Sequence, residues 1–477
     1  MCYAAEFRQH FRPTVTRYVA TIHTGTVQLT PVTGPMMRNP LLEAVPALTS
    51  RVVLTSLRHR NPRAWNLHGA TLAKFRTIST PFHRAITSSE SGKPAVVTPA
   101  MHTMGTSLLR YLAMKVHPLV DSTPWRRLVV VDTHDRADAS VVGREKTDKP
   151  FNWMRPTAKR VGDDLHIQCF PAVDHVEHYG ALPAAYLHLT RKDGEWERVE
   201  TRLVDEGDTI KALRAQTNIL AMPHADVIVT GLVHRLDSLT QGASYIGAKN
   251  DEFAWTSRVV QGKTVVFLGC RLSFWGSISG DLVRVLAQHA QPSQVIYFGK
   301  LGSTEPSVQP NRWLASGDCS CVDGATVRWN NILLSSIHRV GGPVILGRHE
   351  TLGSILSETH AWLRDATKHG YNFVDPEVGQ MGRAAVETGL GFGYIHLISD
   401  NVARKYSEDL SNEREMGVLV GRDVLYAHVN RILGDHLESL WSLKAFILYV
   451  YSCQSYGRIL HLKIEDPELA LLVNQGS

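Results

Sequence analysis

Residues 392–404 read Phe-Gly-Tyr-Ile-His-Leu-Ile-Ser-Asp-Asn-Val-Ala-Arg. The apolar run Tyr394–Ile398 stops at Ser399-Asp400-Asn401. A short apolar run bounded by polar residues reads as a buried strand. An acid at its end stands at the carboxyl edge of a sheet, where open α/β folds bind ligands. Working outward, a second acidic segment, Val374-Asp375-Pro376-Glu377, ends 23 residues before Asp400.

The flanking pattern fits such a sheet. Val227–Thr230, Thr264–Leu268, Val295–Phe298 and Pro343–Leu346 are further short β-rich runs, the first three ending at Gly231, Gly269 and Gly299. Between them, Ser277–His289 carries apolar residues at 278, 282, 285 and 286, one face of a helix. Leu356–Lys368 and Gly379–Thr388 read as two more helices. Strands alternating with helices of this length predict an α/β layer fold. Upstream, Leu108–Val116 reads as a helix and Leu128–Val131 as a buried strand. Residues 145–165 read as a polar loop. Ala184–Thr190 and Trp196–Val204 read as strands around a Lys192-Asp193-Gly194 turn.

Composition bounds the class. Of 477 residues, 43% are hydrophobic and 20% charged, ordinary for a globular protein. There is no apolar run long enough for a spanning helix; Leu440–Tyr451 is short and carries Lys444. Six cysteines, at 2, 169, 270, 319, 321 and 453, are sparse and unpatterned, which fits a reducing compartment better than a disulfide framework. Cys319-Ser320-Cys321 is too tightly spaced for the usual zinc pair. Residues 1–120 hold 14 Lys/Arg against three acids, a balance of +11, so the rest carries −5 of the net +6. That region reads as a charged extension, with an organelle-targeting leader as the alternative to a cytoplasmic chain. No aromatic-rich nucleic-acid signature accompanies its charges, so a nucleic-acid partner is not expected.

Three motifs together resemble the nucleoside phosphorylase/nucleosidase superfamily. They are Val265–Gly269 with Gly276-Ser277 opening a helix and Val295–Phe298 followed by Gly299-Lys300-Leu301-Gly302; then Asp375-Pro376-Glu377; then Ile398-Ser399-Asp400-Asn401. They occur in the family's order and cover about residues 222–435. The resemblance implies a three-layer α/β/α fold with a central mixed sheet, preceded by an α+β extension. It divides the chain into a basic, weakly structured region (1–100), an α+β region of unknown role (101–220), the nucleosidase-like domain (221–435) and a C-terminal helix and tail (436–477). It also implies a homo-oligomer, a small nucleoside-like substrate and no metal or organic cofactor, with inorganic phosphate a candidate co-substrate.

The chemistry agrees with the residue types. Breaking an N-glycosidic bond builds positive charge on the sugar and negative charge on the leaving base. Asp400 is expected to protonate the base as a general acid, with its pKa raised by burial. Glu377 is expected to hold the sugar hydroxyls and face the developing cation. As structural alternatives, Asp400 reads as a helix N-cap before Val402-Ala403-Arg404, and Glu377 as a first-turn acid complementing a helix dipole. The substrate-binding set is Gly269, Arg271, Tyr297, Gly299, Lys300, Gly302, Glu350, Asp375 and Ser399. Gly299–Gly302 is expected to form a turn presenting N–H groups to an anion.

Two departures from the family pattern matter. Tyr297 stands where phosphorylases of this family carry an Arg, leaving Lys300 or Arg271 to substitute. After the first strand, Leu232–Asp237 offers no Glu to activate water, only His234 or Asp237. Hydrolysis and phosphorolysis therefore both stay open, as does a nucleoside-binding sensor without turnover. A metal-dependent hydrolase built on Asp132-Thr133-His134-Asp135 and Asp174-His175-Val176-Glu177-His178 is the remaining alternative.

Overall fold

The computed structural model describes residues 6–7, 16–23, 26–32, 93–94, 96–136, 141–142, 149–191, 194–203, 209–273, 275–412 and 415–455. The chain divides into two units, Met1–Lys74 with Ser439–Ser477, and Phe75–Glu438. In the first, β1 (Glu6–Phe7), β2 (Thr16–His23) and β3 (Thr26–Val32) form an antiparallel three-stranded sheet. Most of the expected weakly structured region 1–100, and the tail after 455, lie outside the described residues.

The second unit opens with a five-stranded sheet, ordered β5-β6-β7-β4-β8. Its strands are β4 (Leu128–Val131), β5 (Val141–Val142), β6 (Thr157–Val161), β7 (Asp164–Gln168) and β8 (Val199–Arg202). Helices α1 (Ser107–Lys115) and α2 (Val173–Thr190) pack on it around Leu112, Leu128, Leu165, Leu182 and Leu187. Three expectations fail in this region. Residues 145–165 are not all loop, because Val161 and Asp164 close a hairpin across Gly162. Ala184–Thr190 is not a strand but the end of α2. That helix is buried on most of its circumference, including Ala181, Ala184 and Ala185, and so leaves no amphipathic period to read. Only Val199–Arg202 of the Trp196–Val204 run is extended, after a short 3-10 turn.

The larger sheet is mixed. Its strands are β9 (Val227–Gly231), β10 (Phe253–Val260), β11 (Lys263–Cys270), β12 (Gln294–Ser303), β13 (Leu314–Ser316), β14 (Cys319–Val322), β15 (Ala325–Arg328), β16 (Val344–Leu346), β17 (His349–Thr351), β18 (Phe373–Asp375) and β19 (Gly391–Asn401). One path runs β10-β11-β9-β12-β18-β17-β14-β15, while β19 joins β12 to β13. β11, β9, β12 and β19 lie parallel; β18 runs against β12. Strands this deeply buried read as near-continuous apolar runs, which is why the sequence exposed them.

Helices α3 (Ser277–His289) and α5 (Val378–Thr388) cover one face, through Val283, Val295, Val378, Met381, Phe392 and Tyr394. The opposite face meets residues 423–438 of α6 (Asp423–Ser455), where the Tyr426 ring stands edge-on to Phe298. Helix α4 (His360–His369) precedes β18. The expected α/β architecture with a central mixed sheet is therefore the observed one. Gly299–Gly302, expected as a turn, instead continues β12, paired to β19 throughout.

Candidate active site

The site is built where β12 and β19 end and the short antiparallel β18 begins beside them. β9 pairs with β12 only as far as Phe298, and β18 pairs with it only at Gly302 and Ser303. Residues 299–301 thus have β19 on one side and no ladder partner on the other. Asp375-Pro376-Glu377, leaving β18, comes to this notch, and the Lys300 charge bears on Glu377. Asp400 comes from β19 on the other side, directly opposite Gly302. The strands that carry the two expected catalytic acids, β18 before Glu377 and β19 with Asp400, therefore pair with β12 on its two sides, Asp400 on the face of Val374.

A β-bulge aims Asp400. Leu301 pairs with Ile398, but Gly302 pairs with Asp400, so Ser399 is an extra residue. Side chains alternate along a strand, and the insertion turns Asp400 onto the face opposite Ile398. There it lines up with Val374 and Glu350 in one row across adjacent strands, through Glu350↔Val374, Val374↔Gly302 and Gly302↔Asp400. Gly302 leaves room for this carboxylate, since a Cβ there would stand 3.0 Å from Asp400 Oδ2. The Ser399 hydroxyl donates to Asp400 Oδ1 (2.8 Å). Asp400 caps no helix: the chain turns after it on Asn401 Oδ1, which accepts from the N–H groups of Ala403 and Arg404. The N-cap alternative is thereby overturned.

A second acid stands against Asp400. Glu358 is buried, its Oε2 has no hydrogen-bond partner, and burial followed by the Asp400 charge pushes its carboxyl well above the ordinary range. Glu350 is held differently, by the Trp362 indole N–H, which donates to Oε2 at 3.0 Å. Sequence reading missed Glu358. Its segment, Ser357-Glu358-Thr359, carries no motif, and only the return of the loop toward β19 gives it a role.

Asp375 and Glu377 are fixed by a different network. Asp375 Oδ1 accepts from the backbone N–H groups of Glu377 and Val378 (2.9 Å each), capping α5. His349 Nε2 stands 3.1 Å from Asp375 Oδ1 and His396 Nε2 3.5 Å from Oδ2, both rings with no exposure. The Gly299 N–H donates to His396 Nδ1 (3.3 Å), which places that ring's proton on Nε2, toward the carboxylate. His349 Nδ1 lies 2.9 Å from the Ser320 hydroxyl. Burial alone would raise Asp375, but His349 and His396 outweigh it and hold the carboxyl below its usual range. Burial lowers His396 toward the neutral ring. For Glu377, burial and then the Asp375 charge push the carboxyl well above its usual range. Tyr297, near both acids, is raised for the same reasons. Neither His349 nor His396 is among the site residues expected from sequence, although His396 lies in the apolar run Tyr394–Ile398.

Other expected site residues have structural partners. The Arg271 guanidinium donates to the carbonyls of Gly247, Ala248, Asp251 and Phe253 and so clamps that loop. Gly269 lies against the ring of Phe151. Asp174 reaches the start of α3: its Oδ2 accepts from Ser277 N–H (2.6 Å) and its Oδ1 from the Ser277 hydroxyl (2.7 Å). Burial raises its carboxyl to about 6. In the proposed metal cluster, His175 Nδ1 meets the Phe170 carbonyl, His178 Nδ1 meets the Ser354 hydroxyl and stacks on Trp275, and His134 faces Glu252. Among the described residues no three His, Cys, Asp or Glu side chains gather to hold a metal ion. Nor is any described helix long and apolar enough to cross a membrane.

No protein-family model matches the sequence. A curated relative, oxidoreductase cns1 of Cordyceps militaris, is 23% identical over 333 residues, 61% of this chain. The chain spans about two fifths (41%) of that relative's length. Among solved structures, uridine phosphorylase from Vibrio fischeri is 17% identical, with a TM-score of 0.37 over 45% of this chain and 93% of its own. The 5'-methylthioadenosine/S-adenosylhomocysteine nucleosidase from Neisseria meningitidis is 14% identical, with a TM-score of 0.34 over 45% and 98%. A futalosine hydrolase mutant of Helicobacter pylori is 10% identical, with a TM-score of 0.35 over 44% and 98%. The solved structures similar to this chain include a uridine phosphorylase and a 5'-methylthioadenosine/S-adenosylhomocysteine nucleosidase, and the likeness spans under half of it.

Proposed function

We propose that this site cleaves the N-glycosidic bond of a small nucleoside-like substrate, with Asp400 as the acid to the leaving base and Glu377 as the sugar anchor. The observation that carries the reading is that the strand with Asp400 and the strand before Glu377 pair with β12 on its two sides. Asp400 has a hydroxyl donor on one oxygen and an acid neighbour, Glu358, whose own carboxyl is pushed toward the protonated form. Two neighbouring carboxyls favour keeping a proton between them, which is what a departing heterocycle needs. Glu377, also favoured in the protonated form, can both donate to and accept from vicinal sugar hydroxyls. As positive charge grows on the ring, its ionised form gains stability and binds the transition state more tightly than the ground state.

Incubating the full chain with a panel of purine and pyrimidine nucleosides, with and without phosphate, and following free base tests this directly. Base release that Asp400→Asn removes supports it. A second reading, binding without turnover, is favoured by Arg271, whose guanidinium is committed to four loop carbonyls. Saturable nucleoside binding with no base released in either buffer selects that reading.

A further inference from the structure

The loop that carries Glu358 is bonded mainly to the α+β region that precedes the larger sheet. Residues 352–359 link β17 to α4 and contain one 3-10 turn, in which Ser357 N–H donates to the Ser354 carbonyl (3.0 Å) and Glu358 N–H to the Ile355 carbonyl (3.1 Å). A lone turn of this kind has poor hydrogen-bond geometry and needs outside support. The chain just before α1 supplies it. Thr103 N–H donates to the Glu358 carbonyl (3.0 Å) and His360 N–H to the Met101 carbonyl (2.8 Å), an antiparallel bridge of His102 with Thr359. The His102 ring is fully buried. Its Nδ1 accepts from Met104 N–H (3.0 Å), so Nε2 carries the proton and donates to the Ile355 carbonyl (3.0 Å). Burial lowers this ring to about 4, which keeps it neutral in that tautomer. A second pin comes from α2. The Ser354 hydroxyl accepts from Leu356 N–H (3.1 Å) and donates to His178 Nδ1 (2.9 Å), a ring that burial also keeps neutral. That ring stacks on Trp275 (centroids 4.0 Å), whose indole N–H donates to the Gly353 carbonyl (2.9 Å). Leu356 itself belongs to the buried cluster of Leu112, Leu128 and Leu182 under the five-stranded sheet.

We propose that the α+β region of residues 101–220 completes the active site by holding Glu358 against Asp400, with His102 and His178 as the positioning residues. This rests on the reading of Asp400 as the acid to the leaving base, and it gives that region a part in the chemistry. Glu358 needs such a hold. Its Oε2 has no hydrogen-bond partner, and the Asp400 charge works against its own. Two buried carboxyls side by side repel whenever both ionise, so a loop free to move would carry Glu358 away from Asp400. The anchors act on the backbone on both sides of the acid, at Gly353, Ser354 and Ile355 before it and at the Glu358 carbonyl and His360 N–H after it. They leave the carboxyl itself without a donor of its own from the α+β region among the hydrogen bonds of its Oε2. The arrangement fixes position and spares the carboxyl's proton, which is what an acid acting through its neighbour requires.

The test uses the full chain and two readouts, amide hydrogen exchange by mass spectrometry and nucleoside turnover. His102→Leu removes both ring bonds, and His178→Phe keeps the stack on Trp275 but removes the acceptor for Ser354. In each, amides of residues 353–360 are expected to exchange at least about tenfold faster than in wild type, while those of β12 keep their protection. Each is also expected to lower kcat by about fivefold with KM unchanged, and to lower it no further in a Glu358→Gln background, since residues acting through one group do not add. Unchanged exchange of the loop, an equal rise across β12, or a loss of kcat that persists without the Glu358 carboxyl would each overturn the proposal. Should neither variant fold, Ser354→Ala removes one hydroxyl only and is read in the same way. If wild type releases no base from any nucleoside, the glycosidic reading has failed, and the exchange comparison alone decides whether the α+β region holds this loop.

Discussion

The two ends of β18 and β19 hold buried acids in opposite ways. At the β18 end, Asp375 faces two imidazoles and two backbone N–H groups, all able to donate. At the β19 end, Asp400 faces a serine hydroxyl and another acid, Glu358. Burial acts on both places. The donors around Asp375 overcome it and keep that carboxyl ionised. The Asp400 charge adds to burial at Glu358 and pushes that carboxyl further up. The first arrangement makes a fixed strut for α5, and the second is the one that would serve as a proton source under the proposed function. Asp375 and Glu377 repeat the lesson two residues apart: the charge that the histidines maintain on Asp375 is part of what pushes Glu377 up.

This contrast can be broken most sharply at Asp400. Asp400→Asn removes the acid while keeping the shape, and base release is expected to fall by about 10²–10⁴-fold with an unchanged circular dichroism spectrum. A rate equal to wild type would remove Asp400 from the chemistry. At the other end the same substitution should act on folding. Asp375→Asn takes the charge from between His349 and His396, and urea denaturation at pH 7 should show a loss of about 2–3 kcal/mol. Because Asp375 is held below its ordinary value of 3.8, its contribution is complete above about pH 4 and is lost as pH falls through the folded value. An Asp375→Asn chain as stable as wild type would mean the imidazoles do not support the charge.

Glu377→Gln tests the anchor. It is expected to lower kcat/KM by about 10–100-fold, the worth of charged hydrogen bonds to sugar hydroxyls, and less so for a substrate lacking the 2'-hydroxyl. Equal losses on both substrates would argue for a packing role. The smallest effect should come from Glu358→Gln. A carboxyl raised in the folded state stabilises below its unfolded pKa and loses that contribution as pH rises through the folded value. Wild type should therefore lose melting temperature upward from about pH 4.5, the ordinary glutamate value, while the Gln variant loses less. Parallel melting curves from pH 4 to pH 8 would show that Glu358 titrates normally. The same sign holds for Asp174, raised from 3.8 to about 6, so its share disappears between those values as pH rises.

Much of the large sheet was legible because its strands are apolar runs with both faces covered. Ser277–His289 was legible because one face of that helix is buried and the other only half-buried. The α2 helix was not, since it is buried nearly all round and carries Pro183. Gly299–Gly302 was misjudged as a turn because two glycines usually punctuate; here they make room instead, 302 for Asp400 and 299 against the His396 ring.

By itself the order of residues determined that an apolar run ends in Ser399-Asp400, that an acid pair opens the helix after β18, and that strands and helices alternate around them. These are local properties, carried by hydropathy period and by residues that stop a strand. Only the tertiary structure decided which face Asp400 takes, because that depends on one unpaired residue in the β12–β19 register. It alone brought Glu358 to Asp400, His349 and His396 to Asp375, and Asp174 to the start of α3. Each of those charges is set by neighbours distant in the chain, and electrostatic environment follows distance in space, not position in sequence.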